Sequence, residues 1–235
     1  MRDQPVSWQL RKDSTVDIDW YGHSCFRLRE RGVTVVCDPF SKESTGLALP
    51  RIRADIVTIS RASPEGDDNM GKLVAGEPKV LQGPGDYEVR QVLVTGLPTS
   101  HNGTRNVAFF LDFAGLTVGH LGELGQAPSQ RLVEELGDID VLLAPVSGPQ
   151  TPDVSRIAEV ISLLDPRIVV PMHYVHEALQ SESAESPEPV ARFLTELGIS
   201  DPEVTDTLKL TKHGLPEETQ VVLLRPNASV RPTSR

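Results

Sequence analysis

The chain reads Trp-Tyr-Gly-His-Ser-Cys-Phe at residues 20–26, between two short runs rich in apolar and β-branched residues. These runs cover Val16–Trp20 and Cys25–Arg29, and a third run of the same kind covers Val33–Cys37. Glycines separate the runs, and glycine favours the tight turns that join neighbouring strands. The segment therefore predicts three antiparallel strands at the start of a sheet.

Further strands alternate with helices along the rest of the chain. Apolar runs predict strands at 54–60, 89–97, 107–113, 116–121, 141–145, 168–170 and 220–224. Helical spacing of apolar residues predicts one helix from Ser129, one over 151–164 with Pro152 at its first position, and one over 189–197 ended by Gly198. Strand-rich halves followed by helices favour a layered sandwich with the sheets inside and the helices outside.

The domain organisation follows from where these elements begin and end. Residues 1–15 are polar and predict a loose lead-in, and residues 16–225 predict a single domain. Residues 226–235 predict a disordered tail, because their composition is too polar to pack.

Composition and charge narrow the classes of partner. The net charge is −10 and no basic stripe is present, so an acidic surface would repel a phosphate backbone and extended nucleic acid is excluded as a partner. No run of 18 apolar residues occurs, which excludes a membrane span. The two cysteines lie in apolar runs and the N-terminus lacks an export pattern, so we expect buried reduced thiols and a cytoplasmic location.

Six motifs resemble, in order, those of the ascorbate-6-phosphate-lactonase-like branch of metallo-β-lactamase-fold hydrolases. The Gly-His-Ser within residues 20–26 resembles its opening motif, and Asp38-Pro39 resembles its strand-ending Asp-Pro. Gly-Pro-Gly-Asp-Tyr-Glu-Val at 83–89 is similar to its Pro-Gly-Glu-Tyr-Glu, and His-Leu-Gly-Glu-Leu-Gly at 120–125 to its His-Leu-Gly-Asp-Leu-Gly. Residues 141–148 and 169–174 are similar to its closing pair of motifs. The resemblance covers residues 16–225 and implies an α/β fold, the four-layer αββα metallo-β-lactamase sandwich.

The resemblance also implies a type of chemistry. In that family a His-x-His-x-Asp-His loop, two further histidines and a bridging aspartate hold two divalent metal ions. The ions polarise the substrate and lower the pKa of a bridging water, so that hydroxide forms near neutral pH. Imidazole and carboxylate ligands at such sites suit zinc.

This chain departs from the family at the metal-binding loop. The four ligand positions that follow the strand at 54–60 hold Arg61, Ser63, Glu65 and Gly66, so three imidazoles are lost and one carboxylate remains. Arg61 is a permanent cation, which repels a divalent ion and can itself pair with Glu65 or Glu123. The resemblance therefore implies a degraded metal-binding loop.

Elsewhere the candidate ligands are better preserved. His101 falls near the position of the family's next histidine, Glu123 replaces the bridging aspartate, and His173 matches the last ligand. Together with Glu65 these are the candidate metal ligands. The resemblance places His23, Asp38 and His120 near the site without ligating: Asp38 either orients a metal-bound histidine or is a turn residue before Pro39.

Three functions remain open from the sequence. The favoured one is a divergent or non-catalytic member, metal-free or metal-poor, that binds a small ligand or a protein partner or is a structural remnant. The alternative is a hydrolase of an ester, lactone or phosphate that uses one divalent metal, with zinc favoured, on His101, Glu123 and His173. The third is a hydrolase with Ser60 or Ser63 activated by a nearby histidine, although the chain lacks a Gly-x-Ser-x-Gly signature. A homo-oligomer is compatible with each.

Overall fold

The computed structural model describes residues 14–61, 71–101, 103–125, 133–134, 136–146, 154–174, 176, 179 and 190–232. These residues form two large sheets and a two-stranded ribbon. The six-stranded sheet runs in the order β14-β1-β2-β3-β5-β6. Its strands are β1 (Val16–Trp20), β2 (Phe26–Glu30), β3 (Val33–Cys37), β5 (Ile56–Thr58), β6 (Lys79–Leu81) and β14 (Leu208–Leu210).

The eight-stranded sheet runs in the order β13-β15-β12-β11-β10-β9-β8-β7. Its strands are β7 (Gly85–Val89), β8 (Val92–His101), β9 (Thr104–Phe113), β10 (Leu116–His120), β11 (Val141–Pro145), β12 (Ile168–Met172), β13 (Glu203–Thr205) and β15 (Gln220–Leu224). The ribbon pairs β4 (Leu47–Ala48) with β16 (Arg231–Pro232).

The main core lies between the two sheets because the strands alternate in the direction of their side chains. In the six-stranded sheet Val35 and Ile56 belong to the cluster that also holds Phe109 and Leu111 of the other sheet. Val36 and Val57, the next residue in each of these strands, belong to a second cluster on the outer face, together with Phe40, Leu47, Ile52, Val74 and Val230. Both faces of this sheet are therefore covered.

Helices cover the outer face of the eight-stranded sheet. These helices are α2 (Val154–Leu164) and α3 (Ala191–Glu196). A short helix elsewhere, α1 (Lys42–Thr45), contacts β4 of the ribbon. Helix α2 lies against β11 and α3 lies against α2. All five residues of β11 are buried, as expected for a parallel strand covered on both faces. The predicted four-layer class is confirmed. Among the described residues, Phe40, Leu47, Ile52, Val74 and Val230 cover the outer face of the six-stranded sheet.

The C-terminal segment corrects one prediction. Residues 226–232 are packed rather than disordered, since the backbone N–H of Asn227 donates to the Trp20 carbonyl at 2.7 Å and Val230 is buried in the outer cluster. Arg231–Pro232 then pairs with Leu47–Ala48. The burial of one apolar side chain and a few backbone hydrogen bonds are enough to dock this segment, although most of its residues are polar. Residues 233–235 lie outside the described part of the chain.

Other predicted elements differ in detail. The strand expected at 89–97 is a hairpin of β7 and β8, because Arg90 and Gln91 turn the chain with positive φ. Helix α2 buries apolar side chains at helical spacing, namely Val154, Ile157, Val160, Ile161 and Leu164. Of the helix expected from Ser129, the described residues 133, 134 and 136 are helical. No described helix is long and apolar enough to cross a membrane.

The two cysteines lie on opposite faces of the six-stranded sheet. Cys25 is in the outer cluster and Cys37 is in the core between the sheets, and both are free thiols. Burial raises the pKa of both thiols, that of Cys37 to about 12. The prediction of buried reduced thiols is confirmed.

Candidate functional site

Loops from both sheets meet where β1, β3, β5, β10 and β12 end. The Ser60 carbonyl accepts from the Val107 N–H at 2.8 Å, which joins the end of β5 to the eight-stranded sheet. The His173 N–H donates to the His23 carbonyl at 3.1 Å, which joins the sheets a second time. Candidate site residues distant in sequence are thereby brought to one edge of the sandwich.

Arg61, Glu123 and His173 lie next to one another at this edge. The Arg61 Nη1 donates to Oε2 of Glu123, and the other carboxylate oxygen lies 3.8 Å from Nε2 of His173. The three side chains are partly exposed, at 32% for Arg61 and 21% for each of the others. Together with His23 they are called the strand-end cluster below. Of the two pairings predicted for Arg61, the one with Glu123 is present, and Glu65 lies outside the described residues.

A buried amide holds the backbone of Glu123. The Oδ1 of Asn106 accepts from the Glu123 N–H at 3.0 Å, while its Nδ2 donates to the Leu121 carbonyl at 3.0 Å and to the Thr99 hydroxyl at 2.7 Å. Asn106 is fully buried, so its amide needs such partners. Asn106 is not among the residues predicted from the sequence. The signal that could indicate it is a single amide directly before the apolar run that begins at Val107.

Gly122 lets the turn before Glu123 approach β5 closely. Its φ is +60°, and a Cβ placed there would lie 2.5 Å from the Cβ of Ser60 and 2.6 Å from the Asn106 amide oxygen. Only glycine fits this position without displacing the end of β5. The glycine of the His-Leu-Gly-Glu motif therefore sets how near Glu123 comes to Arg61.

Asp38 fixes the start of the loop that carries Arg61. Its Oδ1 accepts from the Ser60 N–H at 2.7 Å, and its own φ is +43°. Burial raises the pKa of the Asp38 carboxyl, while His120 and the hydrogen bonds from Ser60 oppose that rise. The carboxyl thus anchors the backbone next to Arg61.

His120 is fully buried behind this loop. Its Nε2 lies 2.9 Å from the Ser24 carbonyl, which can only accept, so Nε2 carries the proton. Its Nδ1 then accepts from the Gly122 N–H and the Ser60 hydroxyl, each at 3.3 Å. Ser60 is only 2% exposed, so its hydroxyl cannot reach a substrate and the structure argues against Ser60 as a nucleophile. Ser63 lies outside the described residues.

His23 and His173 stack edge to face in the strand-end cluster. Their ring centroids are 5.7 Å apart, and both residues have positive φ, of +49° and +66°. Burial lowers the pKa of His23 to about 4, and the neighbouring His173 lowers it further. His23 is therefore neutral at physiological pH.

The remaining candidate ligands are only partly placed. His101 ends β8, and the Gly125 N–H donates to the Ser100 carbonyl at 3.1 Å, so the backbone of this strand end lies beside the turn that carries Glu123. The His101 side chain, Glu65 and Gly66 lie outside what the structure describes. Within the described residues, no three His, Cys, Asp or Glu side chains are grouped closely enough to hold a metal ion. Those residues therefore do not fit a two-metal centre.

Comparison with known proteins supports the same fold and family. A family model described as the beta-lactamase superfamily domain matches residues 17–173. A structure from Thermotoga maritima, described as that of a Zn-dependent hydrolase of the metallo-β-lactamase superfamily, is 36% identical, with a TM-score of 0.73. The match covers 89% of this chain and 98% of that one.

More distant matches agree. The UPF0173 metal-dependent hydrolase of Carboxydothermus hydrogenoformans is 27% identical over 192 residues, covering 67% of this chain and 84% of its own. The metallo hydrolase Igni18 of Ignicoccus hospitalis is 18% identical with a TM-score of 0.60, over 83% of this chain and 98% of its own. The latter similarity concerns the fold alone.

Proposed function

Because the chain belongs to the β-lactamase superfamily, in its metal-dependent hydrolase branch, we propose that it is a divergent, non-catalytic member whose strand-end cluster binds a small ligand. The observation that carries this proposal is the ion pair between Arg61 and Glu123. By the family resemblance Arg61 stands at a metal-ligand position and Glu123 at that of the bridging carboxylate. The guanidinium then supplies the positive charge that a metal ion supplies in relatives.

Electrostatics support this substitution of one cation for another. An arginine keeps its charge at all physiological pH values. Two unit charges 4 Å apart near a protein surface interact by about 4 kcal/mol, and the repulsion doubles for a divalent ion. A metal ion next to Glu123 would therefore have to displace Arg61 and break its hydrogen bond. The side chains that remain offer a cation, a carboxylate and two imidazoles to a small polar ligand.

A second candidate is a hydrolase that uses a single divalent metal, with zinc favoured, on His101, Glu123 and His173. The hydrogen bond between Gly125 and Ser100 favours it, because it brings the strand end of His101 to the Glu123 turn. The distance of 3.8 Å between Nε2 of His173 and Oε1 of Glu123 also favours this candidate, because both side chains could reach the same metal ion. Two imidazoles and a carboxylate can hold one zinc and leave a position open for water. The substrate would be an ester, lactone or phosphate.

Metal analysis of untagged protein, purified without chelators, separates the two candidates. The proposal predicts a substoichiometric metal content that is the same in wild type, His173→Ala and His213→Ala. His213→Ala is the matched control, since it removes an exposed histidine from the turn at Lys212–Gly214. A stoichiometric metal that is lost in His173→Ala and kept in His213→Ala would refute the proposal and support the single-metal hydrolase.

A further inference from the structure

A pocket of about 350 Å³ opens on the outer face of the six-stranded sheet. Nine residues line it, and four of them are arginines: Arg27, Arg29, Arg51 and Arg53. Three more contribute hydroxyl groups: Tyr21, Thr34 and Ser229. Ser229 belongs to the C-terminal segment that packs against the domain, so the folding of that segment completes the wall. The pocket is a concentration of positive charge in a chain whose net charge is −10.

Two of the arginines are held in place by strand partners. Arg27 donates to Asp19 through Nε and Nη2 at 3.0 and 2.7 Å, and its guanidinium lies 5.7 Å from the centre of the Tyr21 ring. Arg29 donates to Asp17 at 2.9 Å. These aspartates neutralise the pair locally, and the Nη1 group of each guanidinium takes no part in these hydrogen bonds. This half of the pocket is preorganised and close to neutral.

The other two arginines are not neutralised in this way. Arg51 and Arg53 flank Ile52, which is buried in the outer cluster, so in the extended chain both are exposed on the same side. No described carboxylate lies within ion-pair distance of either. The nearby Asp55 is already paired with Arg90 at 3.0 Å. The pocket therefore carries a net excess of two positive charges.

We propose that this pocket binds a small phosphate-bearing anion, either inorganic phosphate or a phosphate monoester. Guanidinium groups match the geometry of phosphate oxygens and bind them through paired hydrogen bonds. The volume lies within the range of small-molecule pockets. A small ligand is favoured over a polynucleotide, because a chain with a net charge of −10 repels an extended phosphate backbone.

The pocket is separate from the strand-end cluster. The cluster lies where β1 and β3 end, whereas Arg29 pairs with Asp17 near the start of β1 and with Thr34 near the start of β3. None of the nine residues that line the pocket belongs to the strand-end cluster. Binding here does not depend on the proposed function of the cluster.

Calorimetric titration at low ionic strength tests the proposal with inorganic phosphate and with a sugar phosphate. The variant is Arg51→Ala/Arg53→Ala, and the matched control is Arg156→Ala/Arg225→Ala, which removes two exposed arginines elsewhere. We expect one phosphate per chain in wild type and control, and at least roughly tenfold weaker binding in the pocket variant. Thermal unfolding of each variant verifies that it is folded.

Two results would overturn the proposal. One is a wild type that binds neither phosphate compound, or binds them with the same affinity as the pocket variant. The other comes from a short single-stranded oligonucleotide titrated under the same conditions. Oligonucleotide binding that is tighter than that of the sugar phosphate, and is lost in Arg51→Ala/Arg53→Ala, would make nucleic acid the ligand instead.

Discussion

Single side chains decide the character of the strand-end cluster. By the sequence resemblance Arg61 and Glu123 each replace a family ligand, and the structure brings the two together in an ion pair. A partly exposed pair of this kind contributes on the order of 1 kcal/mol to stability or less. The ion pair therefore matters less for stability than for binding, because it places a guanidinium rather than another cation beside Glu123.

His23 makes the stability of the domain depend on pH. Its folded-state pKa of about 4 lies below the value of 6.5 that an unfolded histidine has. Above pH 6.5 neither state is protonated; as the pH falls towards 4, only the unfolded state gains the proton, so stability is lost. Between pH 7 and pH 5 we expect a loss of about 2 kcal/mol from this residue.

The measurement is the free energy of urea unfolding at both pH values in wild type and in His23→Asn. Asparagine tolerates the positive φ at this position and does not titrate. Other titrating groups contribute equally to both proteins, so the difference between their pH dependences isolates His23. Equal losses in the two proteins would show that the pKa of His23 is not lowered.

At the scale of elements, the turn at Gly122 determines how closely two strands approach. Gly122 and Gly137 have nearly the same φ, at +60° and +67°, but a Cβ at Gly137 meets nothing within 4 Å. Alanine at either position therefore carries the same backbone strain, and only at Gly122 does it collide with Ser60. We expect Gly122→Ala to destabilise the protein by about 1–3 kcal/mol more than Gly137→Ala, measured by urea unfolding. If the two variants lost the same free energy of unfolding, there would be room for a Cβ between Gly122 and Ser60, and the predicted collision would be absent.

The packing of the C-terminal segment makes a second prediction at this scale. Val230 is 6% exposed, so Val230→Ala should lower the free energy of unfolding by about 1–2 kcal/mol. Val204 is 45% exposed in β13, and Val204→Ala should change it by about 0.5 kcal/mol or less. If Val230→Ala left the free energy of unfolding unchanged, the C-terminal segment would not be docked in solution.

At the scale of the whole molecule, the sequence predicts the fold well because the fold depends on patterns repeated along the chain. The apolar runs give β1, β3, β11 and β15 at their observed bounds. The β7–β8 hairpin is missed because two ordinary residues, Arg90 and Gln91, form its turn without a glycine. The C-terminal strand is missed because its partner at Leu47–Ala48 is distant in sequence.

The site is less predictable because its support comes from contacts between distant segments. The identity of Arg61 predicts an ion pair, and the structure selects Glu123 as the partner. The single amide before the apolar run at Val107 marks Asn106, but it does not indicate that this amide holds the backbone of Glu123, 17 residues further along the chain. The pocket of four arginines likewise combines β2 with the loop at 51–53 and the C-terminal segment, so no single stretch of sequence indicates it.

We propose that Arg61 stands where relatives place a metal ligand, and a zinc titration tests this assignment. The variant Arg61→His/Ser63→His/Gly66→His adds three imidazoles to the loop, and Arg61→Ala/Ser63→Ala/Gly66→Ala is the matched control that removes the cation without adding ligands. We predict that the histidine variant binds zinc at least roughly tenfold more tightly than the wild type and the control. A histidine variant with no gain in zinc affinity over either protein would contradict the claim.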